Sequence, residues 1–371
     1  MDLQNLIERL ILSGEMDAIR LNARAQFGTP TRRYVGATLL PERFTTNRFT
    51  ERAIRFRTVI ANDGDRYSPA QLKGYVGQMV PAIEVILGDS DIARQFTGRD
   101  YDGLLELLGS TTSPAQIEFQ AAQRILGWCD VELNLALVEL VEKQRWNALV
   151  DCLVQRRGDN GYYEPVYYHN PVGHRINAGG VWSNASYDPW PDIVAMGQFL
   201  RTKGFQVNRI IYSTNVESKL LANPLIMQRV TGMTTIIAPG GNIDVISTGR
   251  VMTTDQLAAL FRSSRLPVPE IYDELYWTQA GSARFMPDNI MLFACTTGRD
   301  EQVIARDQIL TVPNTLGYAA IGNAVGQSRP GRQFNLQAYS NKPPRIEGEG
   351  WQTSLPVILD PEAIGIIKNI S

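Results

Sequence analysis

The chain has 371 residues, 44% of them hydrophobic and 20% charged, with a formal net charge of −2. That balance suits a folded protein with room for two domains or one elaborate one, and it excludes the basic excess of a general nucleic-acid or anionic-membrane binder. No apolar run is long enough to span a bilayer and no secretory leader pattern is present. The odd set Cys129, Cys152 and Cys295 reads as buried reduced thiols.

In chain order, residues 2–24 read as an amphipathic helix with Leu3, Leu6, Ile7, Leu10 and Ile11 on one side, an arm that needs a partner surface. Strands are predicted over 34–40 and 52–60; in the second, Ile54, Phe56, Thr58 and Ile60 alternate with neighbours that include Arg55 and Arg57. Residues 41–49 between them are too polar for a core. The segment 29–68 holds eight arginines and four acids, a net +4. It predicts a long two-stranded finger, marginal in water unless it lies on something. Phe44 and Phe49 beside Arg43 and Arg48 imitate a base-stacking surface. The following segment, 76–109, is acidic by the same amount, however. Protein contact is therefore the preferred reading, with Arg43, Arg48, Arg52, Arg55 and Arg57 facing Glu84, Asp89, Asp91, Asp100, Asp102 and Glu106.

Ser113, Pro114 and Gln116 read as a helix start: an N-cap, a proline at the first helical position and a capping-box glutamine. Ala122, Leu126, Cys129, Leu133, Ala136 and Leu140 form one apolar stripe. Ile125, Trp128, Leu135, Val138 and Leu149 lie off it, so more than one face must be covered. With Arg156, Arg157 and Gly158 as stop signals, the helix runs over 114–157, about 66 Å at 1.5 Å per residue. Bending is expected at Gly127, Trp146 or Asn147.

Beyond it, a strand over 162–168 turns at His169 and returns over 172–176. Helices are predicted over 192–203, 214–222 and from the capping box Thr253–Gln256 to about 262. Strands are predicted over 207–212, 233–238, 243–247, 271–278, 289–294, 333–341 and 354–359, with a short apolar element after Pro361. Helices and strands mix without a βαβ rhythm, so the class is α+β.

Chemical motifs are sparse. His169 and His174 lack further metal ligands at recognisable spacing, and no cysteine has a histidine close in sequence. Gly-x-Ser-x-Gly is absent. Pro239-Gly240-Gly241-Asn242 lacks the Walker lysine, and Ala178-Gly179-Gly180 lacks the dinucleotide spacing. Asp273 and Glu274 are adjacent in a predicted strand and so point apart. No catalytic, cofactor or metal residue is assigned.

Taken in order, an arm, a finger, a girder helix, a hairpin and a compact α+β block resemble the HK97 fold of tailed-bacteriophage major capsid proteins. More narrowly, they resemble the lambda-type major capsid protein E family. Residues 285–292 (Phe-Met-Pro-Asp-Asn-Ile-Met-Leu) resemble that family's Phe-x-Pro-Asp-Asn strand start. Residues 332–338 resemble its Arg-x-Phe-x-x-Gln strand, and 355–362 its closing apolar strand with Asp-Pro-Glu. The resemblance implies an N-terminal arm (1–28), an extended loop or E-loop (29–75), and a peripheral P domain (76–187) with a spine helix over 114–157. An axial A domain (188–332) and C-terminal strands (333–371) returning to both complete it. It implies a non-enzymatic shell subunit of the virion, assembled in the host cytoplasm from hexamers and pentamers around double-stranded DNA, without sequence-specific binding, cofactor or membrane. Its partners would be other copies, a separate scaffolding protein, a portal and a possible decoration protein. An encapsulin-like cellular compartment shell is the alternative, and a soluble α+β enzyme the more distant one.

Overall fold

The computed structural model of the chain describes residues 34–51, 54–56, 77–79, 83–96, 102–103, 106, 109, 114–157, 163–231, 236–237, 243–244, 252–278, 281–296, 302–305, 308–311, 316–339 and 345–371. The expected N-terminal arm helix lies outside them. The first half comprises α1 (Val35–Leu39), β1 (Glu42–Phe44), β2 (Arg48–Glu51), β3 (Ile54–Phe56), β4 (Gly77–Met79), β5 (Ile83–Ile86), β6 (Gly88–Phe96), α2 (Pro114–Cys129), a π turn (Asp130–Asn134), α3 (Leu135–Asp151), β7 (Leu153–Arg157), β8 (Tyr163–Tyr167) and β9 (Arg175–Asn177). The second half comprises α4 (Trp190–Thr202), β10 (Arg209–Tyr212), α5 (Thr214–Ala222), α6 (Pro224–Thr231), β11 (Ile236–Ile237), β12 (Ile243–Asp244), α7 (Thr254–Ser263), β13 (Glu270–Ile271), β14 (Leu275–Thr278), β15 (Gly281–Arg284), β16 (Met291–Ala294), β17 (Gln302–Ala305), β18 (Gln308–Thr311), β19 (Gly317–Ile321), β20 (Gln333–Tyr339), β21 (Arg345–Ile358) and β22 (Ile364–Lys368).

Two sheets organise these elements. In the first, the 14-residue β21 is the axis: β19 and β20 pair along it, β6 pairs antiparallel with residues 346–354, and β1 adds parallel to β19. One face of this sheet lies on the long helix. Glycines at 348 and 350 make the approach possible, since a Cβ at Gly348 would sit 2.8 Å from Trp128 and 2.9 Å from Leu133. The second sheet, in the order β13-β10-β16-β22-β9, is apolar along β16 and β22 because α4 covers it through Ile193, Met196 and Leu200. At Gly365 a Cβ would lie 2.7 Å from the Met196 sulfur, so glycine again sets the spacing.

The long helix departs from expectation in two ways. It does not bend at Trp146, which is fully buried inside α3; it widens into a π turn at Asp130–Asn134, where Asn134 Nδ2 donates to Asp130 Oδ1 at 2.8 Å. The extra residue in that turn rotates the apolar stripe. Ile125, Cys129 and Leu133 therefore pack with Phe96, Leu336 and Ile346, while Val141 packs with Ala319 and Ile321. The helix also ends at Asp151 rather than at residue 157, with Cys152 in the left-handed region (φ 54°). Arg156 and Arg157 belong to β7, where Val154 and Arg156 turn inward and Gln155 outward. Two-residue alternation with a paired partner strand overrides the helical reading there.

Three further expectations are corrected. Residues 35–39 form a helix, not a strand, because they pack on α3. Residues 41–49 are not one loop, since β1 joins a sheet. The finger's first strand is not 34–40, whereas β3 falls inside the predicted 52–60: β2 pairs with β5 (Arg48↔Ile86) and β3 with β4 (Ile54↔Met79). The predicted strand over 271–278 is interrupted at Asp273, whose carboxylate accepts from the Thr214 backbone N–H. The capping box at Thr253 and Gln256 is present as predicted, with bonds of 3.1 and 3.4 Å. The three cysteines are buried and in no disulfide, although Cys152 lies just past the helix rather than on it.

A buried carboxylate ties the first sheet's helix to the rest. Glu142 is fully buried on α3 and accepts four donors: the Gly36 N–H (2.7 Å), Trp146 Nε1 (2.9 Å), the Tyr272 hydroxyl (3.1 Å) and Arg145 Nη1 (3.2 Å). Arg145 is itself 1% exposed and reaches Glu42 at 3.6 Å; Glu42 in turn pairs with Arg332, whose Nε donates to Gln352 Oε1 at 3.0 Å. Burial pulls the Arg145 guanidinium below its ordinary value, opposed by Glu142 and Glu42. Glu142→Ala strands a buried cation and three other donors, so it should cost about 3–5 kcal/mol in a urea titration of the subunit. An unchanged midpoint would show that the cluster holds nothing together.

His174 supplies a pH handle in the second sheet. Its Nδ1–H donates to the Ile364 carbonyl (3.0 Å), and its ring meets Phe199 edge-on at 4.9 Å. Burial depresses its pKa below 6.5, with Lys203 and Arg175 acting in the same direction and the Ile364 bond and Glu362 opposing. The unfolded chain therefore binds this proton first as pH falls. The histidine leaves stability intact above about 6.5 and subtracts from it progressively below, down to the folded pKa. The difference in urea midpoint between the parent and His174→Gln should shrink from pH 7.5 to pH 5.5; a constant difference would remove His174 from the acid sensitivity.

Candidate functional site

The residues singled out for inter-subunit contact fall in three places. Arg43 is exposed on β1, its guanidinium 4.9 Å from the centroid of the Tyr318 ring. Arg48 lies at the base of the finger and pairs with Glu84 of its own chain, Nε donating at 2.8 Å. Arg55 is a rung of the outer ladder, opposite Gln78. Arg52, Arg57 and Asp100 lie outside the described residues, while Asp102 and Glu106 are exposed.

The finger's base has two unlike faces. Phe49 and Val85, directly opposite each other, turn inward: Val85 is buried and Phe49 stacks on Tyr318 at 6.5 Å. Arg48, Thr50, Glu84 and Ile86 turn outward and are exposed. Alternation in β2 and β5 produces this split.

Asp89 and Asp91 belong to a larger surface that sequence reading missed. Register places Asp89 opposite Thr353, Asp91 opposite Trp351, Ala93 opposite Glu349 and Gln95 opposite Glu347. On the far side of β21, Gln333, Asn335 and Gln337 stand opposite Trp351, Glu349 and Glu347. Directly opposed residues share a face, so Asp89, Asp91, Glu347 and Glu349 lie together on the side away from the long helix. Asp89 accepts from the Thr353 hydroxyl. Glu347 accepts from Arg345 Nε (2.7 Å) and Gln95 Nε2 (3.0 Å), and the Arg345 bond holds its carboxyl below the usual range. Asp91 and Glu349 are exposed. The period-two placing of Glu347 and Glu349 between Gly348 and Gly350 was visible in the sequence; that the glycine side faces the helix was not.

Among the described residues, no group of three or more His, Cys, Asp or Glu side chains is placed to hold a metal ion. No helix among them is long and apolar enough to cross a membrane.

No protein-family model matches the chain, and no curated protein matches it in sequence. Solved structures do match. A prophage protein of E. coli CFT073 described as a capsid protein aligns over 79% of each chain at 13% identity, with a TM-score of 0.50. A phage-related protein of Bordetella bronchiseptica RB50 aligns over 95% of this chain and 96% of its own at 12% identity, with a TM-score of 0.49. The SrpI encapsulin of Synechococcus elongatus PCC 7942 aligns over 95% of each chain at 9% identity, with a TM-score of 0.40. The first of these likenesses carries the assignment of fold: the chain has an α+β, HK97-like capsid fold.

The two faces of the finger's base should respond differently to mutation. Phe49→Ala removes a half-buried aromatic contact and should cost roughly 2–4 kcal/mol, whereas Arg48→Ala breaks an exposed ion pair and should cost under about 1 kcal/mol. Denaturant midpoints of the two variants check this; equal effects would mean the finger's base is not seated through Phe49.

Proposed function

We propose that the chain is the major capsid protein of a tailed bacteriophage, of the lambda-type major capsid protein E family. It assembles as hexamers and pentamers into an icosahedral shell around double-stranded DNA and turns over no substrate. The observation that carries this reading is a capsid-type fold in which the base of the finger turns Arg48 and Glu84 outward. The three sequence stretches at 285–292, 332–338 and 355–362 support the narrower family. In this reading 1–28 is the arm, 29–75 the E-loop, 76–187 the P domain, 188–332 the A domain, and 333–371 the strands that return to both. Scaffolding protein, portal and a decoration protein are its further partners, and the virion, assembled in the host cytoplasm, its location.

The finger's arginines and the acidic sheet face are paired between copies. Within one chain β5 runs on into β6 with only Leu87 between them. From Ile83, the outermost rung of the β2–β5 ladder, to Asp91 is therefore about 26 Å of chain at 3.3 Å per residue. Arg55 lies beyond that rung along the chain, farther still from Asp91. An exposed ion pair contributes only about 0.2–1 kcal/mol, yet it recurs at every contact of a closed shell.

Negative-stain microscopy and light scattering of the purified protein, with a scaffolding partner co-expressed, should show closed particles. A strictly monomeric protein with a discovered substrate would overturn the reading; particles filled with protein cargo and no DNA would move it to a cellular compartment. Arg55→Glu with Arg57→Glu should leave the subunit's melting temperature nearly unchanged and collapse particle yield. Raised salt should weaken assembly in the parent as the screening length falls from about 10 Å at 0.1 M to about 3 Å at 1 M. Unfolding of the double mutant's subunit would instead place the finger within its own chain.

A further inference from the structure

Two helices of the second sheet's covering layer, α4 and α7, end side by side in the same backbone motif. In α4, Phe205 N–H donates to Leu200 O and Gly204 N–H to Arg201 O, both at 3.0 Å, with Gly204 in the left-handed region (φ 90°). In α7, Leu266 N–H donates to Phe261 O and Arg265 N–H to Arg262 O, again both at 3.0 Å. This paired closure normally places glycine at the left-handed position. Here that position is Arg265, at φ 57°. A side chain at such an angle crowds the backbone in a way that glycine avoids, so the guanidinium is the feature to be explained.

Arg265 and Arg201 line one open cavity of about 290 Å³ with Gly204, Phe205 and Gln206. Arg201 is fixed there by donating from Nη2 to the Arg265 carbonyl at 3.0 Å. The stretches 193–208 and 256–269 contain Arg201, Lys203, Arg262 and Arg265 and no aspartate or glutamate. Helix C-termini account for a cation each, Arg201 in the last turn of α4 and Arg262 in the last turn of α7. Lys203 is drawn to the Phe199 ring, 5.7 Å from its centroid. Arg265 is surplus to both helix ends, and it lines the cavity together with Arg201, whose guanidinium is bonded to its backbone carbonyl.

We propose that the Arg201–Arg265 cavity is a phosphate-binding site, taking a phosphodiester of nucleic acid or a free phosphate through two guanidinium groups. Planar, forked donors match phosphate oxygens, and bringing two like charges to one rim is favourable once an anion sits between them. Two cations on a chain of net charge −2 make a local contact, not a general affinity for nucleic acid. The site stands independently of shell formation, and a dispersed subunit is enough to test it.

The test titrates the full-length subunit with a DNA duplex of about 20 base pairs and, separately, with inorganic pyrophosphate, between about 50 and 200 mM salt. The parent should bind at least one probe. Arg201→Ala with Arg265→Gly should weaken that binding at least tenfold and, for the duplex, reduce the slope of log K against log salt by about 1.8. Glycine suits the left-handed position, so Arg265→Gly alone should keep or raise the melting temperature while losing affinity. Loss for the duplex assigns nucleic-acid phosphate as the ligand; loss for pyrophosphate alone assigns a free phosphate. No binding of either probe by the parent, unchanged binding by the double variant, or unfolding of Arg265→Gly would each overturn the proposal.

Discussion

The carboxylate of Glu142 is the constraint on which the rest of the chain depends. A charge that is fully buried is tolerated only when its lone pairs are filled and a counter-charge is close. Here the filling donors come from α1, from α3 itself and from the segment just after β13, elements far apart in sequence. The arrangement also dictates residue type at Gly36, where a Cβ would lie 2.6 Å from the carboxylate oxygen. Trp146 and Tyr272, both donors to Glu142, stack on one another at 5.1 Å, so the polar contact and the apolar packing fix the same positions. Through Arg145, Glu42, Arg332 and Gln352 the network runs on to the first sheet, and the Gln352 amide donates to the Leu137 carbonyl at 3.1 Å, back on the helix where it began.

Around that anchor, β21 and α3 act as two long members with short contacts between them. Gly348 and Gly350 allow the strand to lie against the π turn, and the same alternation that hides the glycines turns Glu347 and Glu349 outward. A single strand thus packs the core with one set of residues and writes an acidic surface with the other. The finger repeats the device on a smaller scale: Phe49 and Val85 seat its base while Arg48 and Glu84 remain outside. Exposed charge is inexpensive to maintain there because neither face has to desolvate it.

Several parts were legible in the sequence because their causes are local. The capping box at Thr253, the helix over 214–222 closed by Asn223 and Pro224, and the alternation in β20 each rest on residues within a few positions of one another. The α+β class followed from the same local periods. Order of elements, together with three short stretches, was enough to point to a capsid-type fold.

What the tertiary structure decided is pairing and phase. Residues 35–39 carry a strand-like apolar run, and only contact with α3 makes them a helix. Leu153 to Arg157 continue a helical stripe, and only β8 makes them a strand. Glu142 reads in the sequence as an ordinary helical glutamate, because two of its four donors arrive from residues 36 and 272. The acidic face needed the register of β6 on β21 before its four carboxylates could be seen together. Local sequence fixes backbone preference over a turn or two of chain; it carries no information on which distant segment will supply a hydrogen bond or bury a face, and those choices set the surface this protein presents.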